Sequence, residues 1–101
     1  MKYFIIGDED TVLGFGMVGV QGRTAQDTGE AEAAFKIALD DKDVGIIIIT
    51  ERVAELIRRQ VDRYIFSERF PLIVEIPDRL GKITGKPGVR EMVNDAIGIK
   101  F

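Results

Sequence analysis

Three short apolar runs have the length and composition of buried β-strands. They comprise Lys2 to Ile6, Val44 to Ile49 and Leu72 to Ile76. The middle run is apolar at successive positions, so both faces of that strand must be covered by other elements. This pattern predicts a central parallel strand with helices above and below it.

Two stretches between these runs carry apolar residues at helical spacing. The first begins near Ala31 and should stop near Leu39, because Asp40 and Asp41 would be unfavourable in a last helical turn. The second follows Thr50, whose side chain can cap the helix. Its apolar residues are Val53, Leu56, Ile57, Val61, Tyr64 and Ile65. Each stripe predicts a helix packed on one face of the sheet.

A shorter helix and a further strand are predicted after the first strand. Asp8 or Asp10 is expected to cap a brief helix over residues 11–15, and Met17 to Val20 is expected to form the second strand. The alternation of strands and helices favours right-handed crossovers. The predicted fold class is α/β: a three-layer sandwich with a four-stranded parallel sheet, Rossmann-like or flavodoxin-like, plus a tethered C-terminal helix.

The character of the sequence changes after Pro77. We predict an α/β domain over residues 1–78, a flexible tether rich in glycine over 79–88, and an amphipathic helix with a short tail over 89–101. The apolar stripe of that helix comprises Val89, Met92, Val93, Ala96 and Ile97, and Gly98 follows it. Two interpretations stay open: the helix folds back on the sheet, or its apolar face binds a partner.

Residue types that are absent limit the chemistry of this chain. The 101 residues include no cysteine and no histidine, which argues against disulfides, thiolate metal sites and histidine-dependent catalysis. The net charge is −3 and no basic stripe is present, so nucleic acid is not an expected partner. The apolar runs are too short to cross a membrane, and Gly7 interrupts the N-terminal one too early for a signal peptide. A cytoplasmic protein without catalytic, metal-binding or cofactor-binding residues is expected.

Two local motifs resemble ligand-binding sites but stand in the wrong context. Residues 14–19 match G-x-G-x-x-G, yet they run into a predicted strand, whereas a dinucleotide site opens a helix directly after the first strand. Glycines that end a short helix explain the match better. Asp8, Glu9 and Asp10 are similar to the acidic pocket of response-regulator receivers. That chemistry needs an aspartate at the end of the third strand, where this chain has Thr50 and Glu51.

Five segments together resemble one family over nearly the whole chain. They are Ile6-Gly7-Asp8-Glu9-Asp10-Thr11-Val12-Leu13-Gly14-Phe15, Ile46-Ile47-Ile48-Ile49-Thr50-Glu51, Leu56-Ile57-Arg58, Pro71-Leu72-Ile73-Val74-Glu75-Ile76-Pro77 and Asp95-Ala96-Ile97-Gly98-Ile99-Lys100-Phe101. The sequence is similar to the F subunit of V-type and A-type rotary ATPases, on the bacterial and archaeal branch. The Gly-Asp-Glu-Asp-Thr-Val stretch combined with Glu-Ile-Pro is the most specific part of the resemblance.

The resemblance implies a non-catalytic subunit of the central rotor stalk. Such a subunit binds the coiled-coil D subunit of the stalk, and its C-terminal helix can reach the catalytic A/B hexamer and modulate ATP synthesis or hydrolysis coupled to ion transport. It would be cytoplasmic and peripheral to the membrane. The alternative is a degenerate receiver-like signalling domain that binds a metal or phosphate at residues 8–10.

Partner contacts are expected at the carboxyl ends of the strands, because loops gather at that edge of an open α/β sheet. The regions are 8–11, 22–28, 50–52 and 77–80. The predicted partner-binding residues are Asp10, Thr11, Arg23, Thr24, Asp27, Glu51, Arg52 and Arg79, together with Met92, Val93 and Ile97 on the C-terminal helix.

Overall fold

Four parallel strands form one sheet in the computed structural model, which describes residues 1–67 and 70–78. The strands are β1 (Lys2–Gly7), β2 (Gln21–Thr24), β3 (Val44–Thr50) and β4 (Leu72–Ile76). Their order across the sheet is β2-β1-β3-β4, and every pairing is parallel. The predicted α/β fold class with a four-stranded parallel sheet is confirmed.

Helices connect each strand to the next. They are α1 (Glu9–Gly16), α2 (Thr28–Asp40), α3 (Glu51–Leu56) and α4 (Arg58–Ser67). The last three share one core with a single face of the sheet. Helix α1 lies on the opposite face, where the Thr11 side chain approaches Gly7. The predicted arrangement of helices above and below the sheet is therefore present.

The core forms where β1 and β3 face α2, α3 and α4. Phe4 pairs in register with Ile47, and Ile6 pairs with Ile49. All four side chains are buried, and they contact the apolar stripes of the three helices. The buried residues of these helices and of the junction between α3 and α4 are Ala31, Ala34, Phe35, Ala38, Val53, Ala54, Ile57 and Val61. Burial of this apolar surface is the main favourable contribution to folding.

Three polar side chains cap the N-termini of α1, α2 and α3. Asp8 caps α1 by accepting from Thr11 N at 3.1 Å, and Asp27 caps α2 by accepting from Glu30 N at 2.8 Å. Thr50 caps α3 through its hydroxyl, which accepts from Val53 N at 3.3 Å. Each cap satisfies a backbone N–H that has no partner within its helix. The predictions for Asp8 and Thr50 are confirmed.

One arginine connects the last helix to the edge strand. The Arg58 guanidinium donates to both oxygens of Glu75 at 2.6 and 2.7 Å, and it also contacts Glu55 and Asp62. The hydrogen bonds to Glu75 raise the pKa of Arg58 above its ordinary value. Bidentate pairs of this kind are stronger than single exposed ion pairs. The beginning of α4 is thereby held against β4.

The prediction of a strand over Met17 to Val20 is wrong. These residues form the turn after α1, in which Val18 N donates to Phe15 O at 3.1 Å and Gly19 adopts a φ of 89°. The strand follows at Gln21–Thr24, which is polar. It lies at the edge of the sheet and is mostly exposed, so an apolar pattern is not needed there.

Two helix boundaries also differ from expectation. Helix α2 begins at Thr28, one turn before the first apolar residue of its stripe, because Asp27 caps it there. The stretch after Thr50 is two helices, since Ile57 leaves the helical conformation with φ −130° and ψ 36°. Its side chain stays buried. The predicted tether at 79–88 and helix at 89–101 lie outside the described residues.

The glycines provide a test of this packing. A Cβ atom added at Gly22 would overlap the backbone carbonyl oxygen of Ile5, whereas one at Gly14 in α1 would meet nothing within 4 Å. We expect Gly22→Ala to lower the free energy of unfolding by about 1–3 kcal/mol through this overlap. Gly14→Ala should raise it by about 0.5–1 kcal/mol, because alanine favours a helix interior. Urea denaturation measures both, and equal effects of the two changes would contradict this packing.

Candidate functional site

The carboxyl ends of the four strands gather polar side chains at one edge of the sheet. We call this region the carboxyl edge; it comprises residues 8–11, 24–28, 50–52 and 77–78. Strand order places these segments side by side, and Ala25 N donates to Gly7 O at 3.0 Å to join the first two. The sequence predicted this clustering. The topology brings the predicted regions together, as far as they lie within the described residues.

The segment after β1 is organised around the Asp8 carboxylate. One oxygen of Asp8 accepts from Thr11 N and the other accepts from Thr11 Oγ1 at 2.5 Å. Asp10 lies in the first turn of α1 and is exposed. Asp8 and Thr11 thus serve to begin the helix, and Asp10 is the more accessible acid.

The segments after β3 and β4 are joined by an ion pair. Arg52 Nε lies 2.7 Å from Asp78 Oδ2, and the Asp78 side chain is only 5% exposed. Asp78 was not among the predicted site residues. Its position directly after Pro77, at the end of an edge strand, could have indicated it. This pair connects the first turn of α3 to the chain beyond β4.

Glu51 carries an unsatisfied oxygen at the same edge. Its Oε1 atom is buried and has no hydrogen-bond partner in the described structure. Leaving a buried acceptor unpaired costs about 1–3 kcal/mol, and more when the group is charged.

The polar run 22–28 is divided between a strand and a cap. It was expected to be a connecting loop, but Arg23 and Thr24 belong to β2 and are exposed at the edge of the sheet. Asp27 caps α2, and Glu30 Oε1 accepts from Gln26 N at 2.8 Å to complete the same turn. Asp27 therefore has a structural role, whereas Arg23 and Thr24 present accessible surface.

Four of the predicted site residues lie outside the described part of the chain. They are Arg79, Met92, Val93 and Ile97. Their predicted contacts with partners remain predictions.

The two motifs that resemble ligand-binding sites belong to helix α1 and to the turn that follows it. Gly14 and Gly16 lie in α1, and Gly19 turns the chain toward β2, so the glycines end a helix before a strand, as predicted. Among residues 1–67 and 70–78, no three acidic side chains are grouped closely enough to hold a metal ion.

Comparison with known proteins identifies the family of this chain. The family model described as ATP synthase (F/14-kDa) subunit matches residues 4–93. The chain belongs to this family. The expectation drawn from the five resembling segments is confirmed, and the match spans the whole described structure apart from the first three residues.

Relatives at similar length support the same membership. A protein of Pyrococcus abyssi is 38% identical over 106 residues, which cover 100% of this chain and 98% of the relative. Proteins of Thermococcus sibiricus and Methanocaldococcus jannaschii are 35% and 33% identical, with coverage of at least 98% on both sides. Each of the three is named as the F subunit of an A-type ATP synthase. The described helices of the present family member include none long and apolar enough to span a membrane.

The cap on α3 provides a test of how the carboxyl edge is held. Thr50 is buried, and its hydroxyl is the acceptor for Val53 N. We expect Thr50→Val to lower the free energy of unfolding by about 1 kcal/mol, because the shape is kept and the cap is lost. Thr50→Ser retains the hydroxyl and measures separately the cost of losing the buried methyl group, about 1 kcal/mol. Urea denaturation that finds the valine variant as stable as the unchanged protein would contradict this role.

Proposed function

We propose that this protein is a non-catalytic subunit of the central rotor stalk of a V-type or A-type ATP synthase or ATPase. Membership of the ATP synthase (F/14-kDa) subunit family over residues 4–93 is the observation that carries the proposal. The polar side chains at the carboxyl edge mostly cap helices and join strands, which fits a non-catalytic role for this edge.

The proposed partner at the carboxyl edge is the coiled-coil D subunit of the central stalk. Glu51 lies at this edge and is half-buried, so its carboxylate can rotate to accept a hydrogen bond from a lysine, arginine or amide of a partner helix. Arg23 and Thr24 are exposed on β2 at the same end of the sheet. Arg52 is half-exposed beside Asp78 and extends the polar surface. These groups form a rigid site, because each lies on a strand or in the first turn of a helix.

The second proposed contact is made by residues 89–101 with the catalytic A/B hexamer. The stripe of Met92, Val93 and Ile97 has the spacing of a helix that binds through one face. A nine-residue helix is marginal alone in water, so it requires an apolar surface. Through this contact the protein would regulate ATP synthesis or hydrolysis and its coupling to ion transport, from a cytoplasmic position peripheral to the membrane.

Binding to the coiled-coil D subunit is tested with surface changes that spare the caps. We expect the double change Arg23→Glu and Thr24→Glu, or Arg52→Ala alone, to weaken binding about tenfold or more, as for interface residues near a contact centre. Lys36→Glu is the control, because Lys36 is exposed on the outer side of α2, where it pairs with Asp40. Isothermal titration with the purified coiled-coil partner provides the dissociation constants. Equal weakening by the control, or unchanged binding of the edge variants, would refute this location.

The role of the C-terminal residues is tested by removing them. A chain that ends at Gly88 should fold, lose only a few degrees of melting temperature and keep its binding to the coiled-coil D subunit. ATP hydrolysis by the reconstituted complex should change in rate or in its sensitivity to nucleotide, because the proposed contact with the hexamer is gone. Unchanged hydrolysis would exclude the regulatory role and leave the stalk assignment intact. A truncated chain that cannot fold would instead make residues 89–101 part of the core.

A further inference from the structure

Helix α1 has apolar side chains on two opposite sides. Its inner side faces β1, where Thr11 approaches Gly7, and Phe15 lies one turn further along the same side. Leu13 is two residues from both Thr11 and Phe15, which is a rotation of about 200° around the helix. Leu13 therefore points away from the sheet, and Met17 follows it one turn later on the same side.

This outer side of α1 is open to solvent. Leu13, Met17 and Val18 are 65%, 82% and 77% exposed, so nothing within residues 1–67 and 70–78 covers them. A helix at the surface of a protein normally directs polar side chains outward, whereas a helix that is apolar on all sides is normally buried. Clustered exposed apolar residues of this kind mark a surface that binds another molecule. We call Leu13, Met17 and Val18 the outer ridge of α1.

The direction of the outer ridge favours a separate chain as its partner. Helices that pack on one face of a sheet form a single layer, so a further element of this chain beside α1 would contact its flank. The outer ridge points out of that layer. The sheet and its two helical layers already make the three layers that one domain usually has. A further layer over the ridge is therefore best supplied by another protein.

Two glycines flank the outer ridge. Gly14 and Gly16 lie in α1 on either side of it, and a Cβ atom added at either position would meet nothing within 4 Å. Packing within the described chain does not require glycine there, although glycine destabilises a helix relative to alanine. Without side chains, the two positions form shallow grooves beside Leu13 and Met17. A ridge of residues four apart packs into the grooves of a second helix, and glycine allows the two backbones to approach closely.

The charges beside the outer ridge are all negative. Residues 8–20 include Asp8, Glu9 and Asp10 and no lysine or arginine. Glu9 and Asp10 are exposed in the first turn of α1. A second copy packed through the same helix would bring two acidic segments together, which is unfavourable at an interface. A helix that carries a lysine or arginine at this end is the complementary partner.

The outer ridge alone is too small for a stable complex. Specific interfaces bury about 800 Å² on each partner, and three exposed side chains supply only part of that area. The ridge is continuous with a larger surface, because the first turn of α1 belongs to the carboxyl edge. A partner that binds the carboxyl edge can therefore extend along α1.

We infer that one helix of the coiled-coil D subunit packs along α1. Its apolar side chains would cover the outer ridge and enter the grooves at Gly14 and Gly16, and a lysine or arginine would lie beside Glu9 and Asp10. This contact rests on the proposed stalk function and adds to it the surface and the kind of packing. It gives the exposed apolar residues and the glycines of α1 one common role.

Gly14→Ala separates binding from stability. A Cβ atom in the groove should weaken binding of the purified coiled-coil D subunit about tenfold, because it overfills a close helix contact. The same change is expected to stabilise the isolated protein. Gly29→Ala is the matched control, because Gly29 is an exposed glycine of α2, which packs on the opposite face of the sheet. An alanine variant at position 14 that is more stable and binds as tightly as the unchanged protein would overturn the contact.

Leu13→Ser combined with Met17→Ser removes the outer ridge itself. Isothermal titration should show binding at least about tenfold weaker, whereas Ile37→Ser on the exposed side of α2 should leave it unchanged. The melting temperature of the isolated double variant should change by no more than a few degrees. A large loss of stability would mean that this chain itself covers the ridge. An isolated protein that sediments as a dimer, and as a monomer after the double change, would identify a second copy as the occupant. Either result would overturn the contact.

The same titrations distinguish this contact from the stalk function on which it rests. Binding that survives every change in α1 but is lost in the Arg23→Glu and Thr24→Glu double variant would overturn the outer-ridge contact alone. Absence of binding by the unchanged protein would overturn the stalk function together with it.

Discussion

The structure depends on the need to cover two adjacent strands, β1 and β3, that are apolar on both faces. Their paired rows bury Phe4, Ile6, Ile47 and Ile49 on one side, and three helices are required to exclude water from that side. The placement of α2, α3 and α4 follows from this requirement. The polar strand is β2, which lies at the edge of the sheet and is mostly exposed.

The break between α3 and α4 shows how packing and charge act together. Ile57 leaves the helix but keeps its side chain in the core, and Arg58 then lies against the carboxylate of Glu75. A straight helix through this position would continue in one direction along the sheet. Helix α3 packs against β1, β3 and β4, and after the break the arginine pair joins the beginning of α4 to β4.

Much of this arrangement could be predicted from the sequence, and the failures have identifiable causes. Apolar runs and helical stripes located β1, β3, β4 and α2, because burial dictates those patterns. Strand β2 was misplaced, since an exposed edge strand carries no apolar pattern and the preceding apolar residues form a turn. The break at Ile57 could not be predicted, because no glycine or proline lies near it in the sequence. At the carboxyl edge the grouping was predictable from topology, but the pairing of Arg52 with Asp78 depends on side-chain geometry.

The outer edge of β2 affects whether this protein can pair its sheet with strands of neighbouring proteins. An unpaired strand edge is a template onto which another polypeptide can add its own strand, and this is a common route to aggregation. Strand β2 spans only Gln21–Thr24, and the charged Arg23 lies at its centre. A short strand with a cation is a poor template. The protein can therefore be held among many other chains without extending its sheet into theirs.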